Sequence, residues 1–322
     1  MAPLTTTETA RARHHTYTLL SRLYLEGLVA DLLPYVQALP ALAEQLPPAP
    51  DLAEAAATHY RLFGLNVFPY ESVFLDPAGL LGGTLSNQVA RRYEAGGYRP
   101  GSDVAPDHIG HELGLLAHLC AAEADALEDG HRQLAQHLQQ RQQTFLDRHL
   151  ARWLPPFLVA LGRQENRFYR ALAELTWEVA GDHLQEEPAP WSLPPRPDLL
   201  ADENTGLRQI ASTLLAPPLS GFFLGRDEVG RLARDQTLPR GFGDRQQMLL
   251  NLLRSAAQYE QFPALLTTLQ TVVTAWQEAY ATQARAVPGL AAAVAVWRDR
   301  LQATGRMLDR LVEEADTFSQ EA

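Results

Sequence analysis

The chain has 322 residues, 46% of them hydrophobic, which is enough to bury a core and long enough for two domains. Its single cysteine, Cys120, excludes an internal disulfide and a cysteine-based metal cluster. Every basic side chain other than histidine is an arginine, and the acids outnumber them to a formal net charge of -11, so nucleic acid is a poor partner and a basic ligand or peptide a better one.

From Met1 to His15 the sequence is polar and rich in threonine, without the apolar core of an export signal. The apolar runs Phe157–Leu161 and Ala291–Trp297 fall far short of the roughly 20 residues of a membrane span. A soluble cytoplasmic protein with no membrane insertion is expected.

Apolar residues recur at spacings of three and four from Thr7 to Phe318, and strand signals are nearly absent, so the fold class is all-α. Helices are expected over 7–27, 51–63, 77–95, 106–127, 132–150 and 164–184, which together make one bundle. The stretch from Gln185 to Asp198 reads QEEPAPWSLPPRPD, whose prolines forbid helix and favour an extended connector. That divides the chain into a bundle at 1–184, a linker at 185–198 and a second helical segment at 199–322. All ten histidines precede the linker, so the halves differ in composition as well as position.

The second segment starts a helix near Leu199, breaks at Ala216-Pro217-Pro218, and restarts behind caps near Arg226-Asp227 and Gly243-Asp244. Its last helix carries a heptad seam of Leu290, Val294, Trp297, Leu301, Thr304, Leu308, Leu311, Ala315 and Phe318. The seam packs either on an intrachain neighbour carrying Leu265, Leu269, Val272, Val273 and Trp276, or on a second protein. The intrachain partner is the commoner solution.

The segment from Tyr98 to Leu119 gathers two histidines and two acids around one helix start. Pro106 suits the first helical position and Asp107 the first turn, where the helix dipole favours a carboxylate at an exposed end. Asp107, His108, His111 and Glu112 also form the alternative reading, a metal or acid–base cluster of a helical hydrolase, although their order is not that of a zinc protease. His118 and Asp125 continue the face as a solvated stripe. Upstream, FPYESVFLDPAGLLGG from Phe68 to Gly83 is a loop rich in large apolar side chains. Tyr70, Val73, Phe74 and Leu75 either plug the core or line a groove for a partner's apolar segment.

These two segments together resemble the TorD and DmsD family of cytoplasmic chaperones for molybdoenzymes, with nitrate reductase assembly chaperones as more distant relatives. The resemblance rests on Tyr60-Arg61-Leu62-Phe63 ahead of Pro69-Tyr70-Glu71-Ser72-Val73-Phe74-Leu75-Asp76, on Tyr93–Gly97, and on Ala105-Pro106-Asp107-His108-Ile109 with Glu112-Leu113. Phe145-Leu146, His149-Leu150, Trp153, Pro155 and the stretch Tyr169–Thr176 continue it, so that it covers roughly 11–184. Tyr70 stands where many members have tryptophan, and Ala105 where an acid commonly precedes the proline.

The resemblance implies an all-helical bundle, sometimes dimerised by exchanged helices, that is not an enzyme and carries no cofactor, catalytic residue or resident metal. It implies binding of an apo-oxidoreductase of the DMSO reductase type and its twin-arginine leader, support of molybdopterin insertion, and delay of export. Asp107, His108 and Pro106 carry over as candidate leader-binding residues, with Tyr70, Ser72, Phe74 and Leu75 as groove candidates. The segment after Leu199 lies beyond the resemblance; a helical adaptor working through the Leu290–Phe318 seam is a third reading.

Overall fold

Thr5 and Glu8 cap one another reciprocally at the start of the chain: the Thr5 hydroxyl accepts the Glu8 N–H, and the Glu8 carboxylate accepts the Thr5 N–H at 2.8 Å. This launches α1 (Thr6–Glu26), the first helix of a computed structural model that describes residues 5–79, 81–101, 104–185, 189–201, 205–239 and 241–321, with the backbone alone from 315 onward. The first segment continues through α2 (Leu33–Gln37), α3 (Pro40–Ala43), α4 (Leu52–His59), α5 (Glu71–Leu75), α6 (Gly83–Gly96), α7 (Ile109–Glu128), α8 (Arg132–Phe145), α9 (Ala151–Gly162) and α10 (Arg167–His183). The second comprises α11 (Leu207–Leu215), α12 (Pro217–Ser220), α13 (Arg226–Asp235), α14 (Arg245–Gln258), α15 (Phe262–Ala286) and α16 (Ala291–Glu321). No strand occurs among the described residues, and the all-α class stands.

Helix α7 is the axis of the first segment and is buried along most of its length. It approaches α1 closely because Gly110 and Gly114 lie on the shared face. A Cβ at Gly110 would sit 2.5 Å from Leu25 Cγ and 2.9 Å from the Ser21 carbonyl, so only glycine fits. The Ser21 hydroxyl then donates to the Gly110 carbonyl at 2.6 Å. On its other side α7 meets α8, where Gln142 donates to Glu123 at 2.8 Å inside the core. Gln142 also accepts from His183 Nε2 at 2.9 Å, and His183 Nδ1 faces the Tyr17 hydroxyl at 2.9 Å, which ties α8 and α10 to α1.

Several expected helices end differently. The 51–63 helix gives way to a π-helical segment, Tyr60–Asn66, and the 132–150 helix to another, Leu146–Leu150. The helix expected from 77 begins only at Gly83, after the separate short α5. Helix α9, not anticipated, contains Pro155 and Pro156 yet is almost wholly buried.

The second segment folds onto the first. The α16 seam packs on α15 within the chain, as its commoner solution required: Leu290, Val294, Trp297, Leu301, Thr304, Leu308 and Leu311 are buried, facing a partner helix that buries Leu265, Leu269, Val273 and Trp276. The side chains of Ala315 and Phe318 lie outside the described residues. Trp297 Nε1 donates to the Arg152 carbonyl at 2.8 Å, and Trp177 Nε1 to the Gln283 carbonyl at 3.2 Å. Phe74 of the first segment stacks on Phe223 of the second, with ring centroids 5.3 Å apart.

The proline-rich connector carries no helix where it is described. It lies along α16, burying Leu193 and accepting the Arg300 guanidinium on the Pro194 carbonyl at 2.6 Å. No helix among the described residues is long and apolar enough to cross a membrane.

Candidate functional site

The apolar loop and the Pro-Asp-His element meet. After the π-helical segment the chain runs extended through Val67 to Tyr70, and here it forms a single antiparallel bridge with His108. Three backbone-level bonds clamp the two strands of chain: Glu71 N–H donates to the Asp107 carbonyl at 2.9 Å, Ile109 N–H to the Pro69 carbonyl at 2.9 Å, and Ser72 N–H to Asp107 Oδ2 at 2.9 Å. The Asp107 carboxylate thus caps the short α5 rather than α7. The Ser72 hydroxyl accepts the Gly82 N–H at 2.9 Å, and the Tyr93 hydroxyl donates to the Pro106 carbonyl at 2.5 Å.

Two expectations need correction here. Helix α7 starts at Ile109, so Pro106 and Asp107 precede it, and His108 is its N-cap, accepting the Gly110 N–H on Nδ1 at 3.0 Å. Nor is the helix start exposed: Asp107 is 0% and His108 5% exposed, because the loop from Val67 to Leu75 lies over them. Ser72 and Phe74 are fully buried, whereas Tyr70, Leu75 and Pro106 are half-buried and form the outer edge of this ledge. Val73 and Phe74 plug the core; Phe74 also stacks on Trp153 at 5.6 Å.

Beneath the ledge lies a buried acid network in which sequence reasoning had selected Glu112, for the alternative metal or acid–base cluster, but not its partners. The Glu71 carboxylate meets His149 Nδ1 at 3.0 Å, and His149 itself stacks on Phe145 at 4.8 Å. Trp153 Nε1 donates to Glu112 at 3.2 Å. Burial pushes the Glu112 carboxyl far above the usual range, and the charge and hydrogen bonding of neighbouring Glu71 push it further, which favours its protonated form. His149 is delivered by the π-helical turn after α8. Glu71, His149 and Trp153 stand in the motifs the sequence singled out, and their signal was a charged residue amid large apolar neighbours.

His108 and His111 are both shifted toward the neutral form. Burial pulls His108 down to about 3, helped by the nearby His111 and His59, in agreement with an Nδ1 that accepts a hydrogen bond. Burial also lowers His111, opposed by a bond to the Val104 backbone. Asp107, His108, His111 and Glu112 do not converge as ligands, and among the described residues no three His, Cys, Asp or Glu side chains are grouped to hold a metal ion. Two carboxylate oxygens are left over: Asp107 Oδ1 in the ledge and Glu112 Oε1 beneath it, both buried, have no hydrogen-bond partner among the described residues.

The site is thus a clamped loop over a buried Pro-Asp-His element within a helical bundle. Residues 30–159, which span α2 to α9 and contain the whole ledge, match the family described as nitrate reductase delta subunit. The chain is 41% identical over 73 residues to a selenate reductase assembly chaperone protein of Thauera selenatis, a match covering 22% of this chain and 37% of that one. It is 44% identical over 86 residues to a chlorate reductase assembly chaperone protein of Ideonella dechloratans, covering 26% and 43%. The chain therefore spans about two fifths of the length of the curated relatives it matches. No solved structure matches it. The resemblance read from the sequence is borne out: the matches over residues 30–159 and to the two assembly chaperones support a likeness to molybdoenzyme maturation chaperones.

Proposed function

We propose that this protein is a cytoplasmic assembly chaperone that holds the apo form of a molybdopterin-containing oxidoreductase of the DMSO reductase type. It binds the enzyme's twin-arginine leader, supports cofactor insertion and delays export, and performs no catalysis itself. The observation that carries the reading is the coincidence of the family match with the ledge, where Tyr70, Leu75 and Pro106 present half-buried apolar surface over a carboxylate whose Oδ1 is unsatisfied. A leader offers guanidinium groups followed by an apolar stretch. A small parting of Tyr70 and Pro106 would let a guanidinium reach Asp107 while the apolar stretch lies along Leu75, and the acidic chain speeds the encounter.

The test titrates a labelled twin-arginine leader peptide into the wild type, Asp107→Asn and His108→Ala. Loss of a buried contact of hot-spot type weakens binding by about thirtyfold. Wild-type protein that ignores the leader contradicts the reading. Unchanged affinity of both folded variants moves the leader site away from the ledge.

A further inference from the structure

Two grooves adjoin along the seam between the segments. The first, about 720 Å³, is lined by Arg61 and Leu62 of the π-helical segment and by Arg226, Arg231 and Arg234 of α13. The second, about 530 Å³, is lined by Phe68, Leu215 and Arg245. Leu65 and Arg226 belong to both, so the grooves join as one channel open along its side.

The channel's charge runs against that of the chain. Five arginines face it, against Glu165, Asp227 and Asp244, in a protein whose net charge is -11. Arg226 and Arg234 have no ion-pair partner among the described residues. Arg61 pairs only with the exposed Glu54, and Arg231 stands 3.8 Å from Glu228, which Arg163 already holds at 3.0 Å. Arg245 is sandwiched by rings, 4.7 Å from Phe223 and 5.9 Å from Phe68, and donates to the Leu224 carbonyl at 3.4 Å. Burial lowers that guanidinium to about 10, so it stays charged at pH 7.

The arrangement is built rather than incidental. Helix α13 is pinned on the first segment, since Asp227 N–H donates to Asn66 Oδ1 at 3.2 Å and Glu228 pairs with Arg163. The pinning turns Arg226 and Arg234, two turns of helix apart, toward Arg61 across the groove. Solitary surface arginines are usually solvated, but here they converge from three elements on one concavity.

We propose that this channel holds an extended acidic peptide segment whose apolar side chains rest on Leu65, Phe68 and Leu215 between its carboxylates. Planar guanidinium groups match carboxylates two bonds at a time. The joined, open shape suits a length of chain better than an enclosed small anion, and the 94% exposed Phe242, beside Gly243 and Arg245, adds an apolar anchor at the rim. The occupant differs in sign from a twin-arginine leader, which this channel repels. The inference therefore stands independently of the proposed leader site and is read by a separate titration.

The test follows the anisotropy of a short labelled peptide in which Glu and Asp alternate with Leu, titrated with the full chain. Controls are the same peptide with every acid changed to Gln, and inorganic pyrophosphate as competitor. The double variant Arg226→Glu, Arg234→Glu should weaken binding at least about tenfold, whereas the paired control Arg254→Glu, on α14 away from the channel, stays within about twofold. Circular dichroism of each variant establishes that it is folded. Saturable binding of the acidic peptide, weakened by salt and lost in the double variant, supports the proposal. Absence of that binding, equal binding of the Gln peptide, or retention in the double variant overturns it. Tight binding of pyrophosphate with none of the peptide overturns it in favour of a small polyanion.

Discussion

The ledge and the seam channel treat polar groups in opposite ways. At the ledge Asp107, Glu71, Glu112 and His149 are buried and answered by backbone, ring or neighbouring acid, and among the described residues only Asp107 Oδ1 and Glu112 Oε1 of these carboxylates lack a hydrogen-bond partner. In the channel Arg61, Arg226, Arg231 and Arg234 stay at least partly exposed, and among the described residues Arg226, Arg234 and the ring-sandwiched Arg245 have no ion-pair partner. Motif residues with the clearest sequence signal thus serve first to clamp loop to helix. Residues with no recognisable spacing leave charge available to a partner. A recognisable motif is therefore a guide to which residues must stay together, and only secondarily to which of them meet a ligand.

Phe74 sits between the two regions, stacked on Trp153 below the ledge and on Phe223 beside the channel. Replacing it by Ala should destabilise by about 3–5 kcal/mol, the range for a fully buried aromatic, and lower both regions in one unfolding transition. We propose that 1–184 and 199–322 are two packed units joined by the 185–198 connector. Nicking of that connector should then leave the pieces associated in gel filtration, because Phe74, Trp177 and Trp297 still bridge them. Two separate melting transitions in Phe74→Ala would divide the regions energetically.

The pH dependence of stability probes the buried network next. His108 and His183 are each pulled to about 3 by burial, so below the ordinary histidine value of about 6.5 the unfolded chain takes up protons that the fold refuses. Their stabilisation is full above that pH and lost as pH falls. Glu112 has the opposite sign: its raised value makes the fold keep a proton that the unfolded chain releases above about 4.3, so its contribution falls as pH rises. Between pH 4.5 and 6.5 the histidines make stability rise with pH, His59 and His111 adding in the same sense as His108 and His183, while Glu112 opposes the rise. Glu112→Gln should steepen the slope in urea titrations, by at most about 1.4 kcal/mol per pH unit for one proton. An unchanged slope would mean that Glu112 is ionised in the fold.

The smallest effect belongs to Asp107. Asp107→Ala leaves the buried Ser72 N–H unpaired and should cost about 1–3 kcal/mol, whereas Asp107→Asn keeps an acceptor there and costs less. If calorimetry finds the two variants equally stable, the cap on α5 contributes nothing and the clamp rests on backbone bonds alone.

Much of the architecture was legible. The first helix announced itself through unbroken periodicity from Thr7, and the α16 seam through its heptads. The Asp244 cap before α14 was equally direct, its carboxylate accepting Gln247 N–H at 2.8 Å. Helix α9 was hidden because Pro155 and Pro156 read as a break, although the burial of Trp153, Leu154, Phe157 and Leu161 holds it. Local sequence placed Asp107 in the first turn of α7, where a helix dipole would suffice to explain it. It could not show that the Phe68–Leu75 loop folds over and takes the carboxylate for its own cap, because that pairing is long-range. The channel was invisible for the same reason: Arg61, Arg226 and Arg245 are far apart in the chain and meet only through α13 docking on Asn66.

The measurement that bears most directly on the account is isolation of this protein with its native partner, followed by mass spectrometry and molybdopterin analysis of the complex. The account predicts an oxidoreductase subunit that retains its twin-arginine leader and carries less than a full complement of cofactor. Recovery of only mature, leaderless, fully loaded enzyme, or of no oxidoreductase at all, would contradict it.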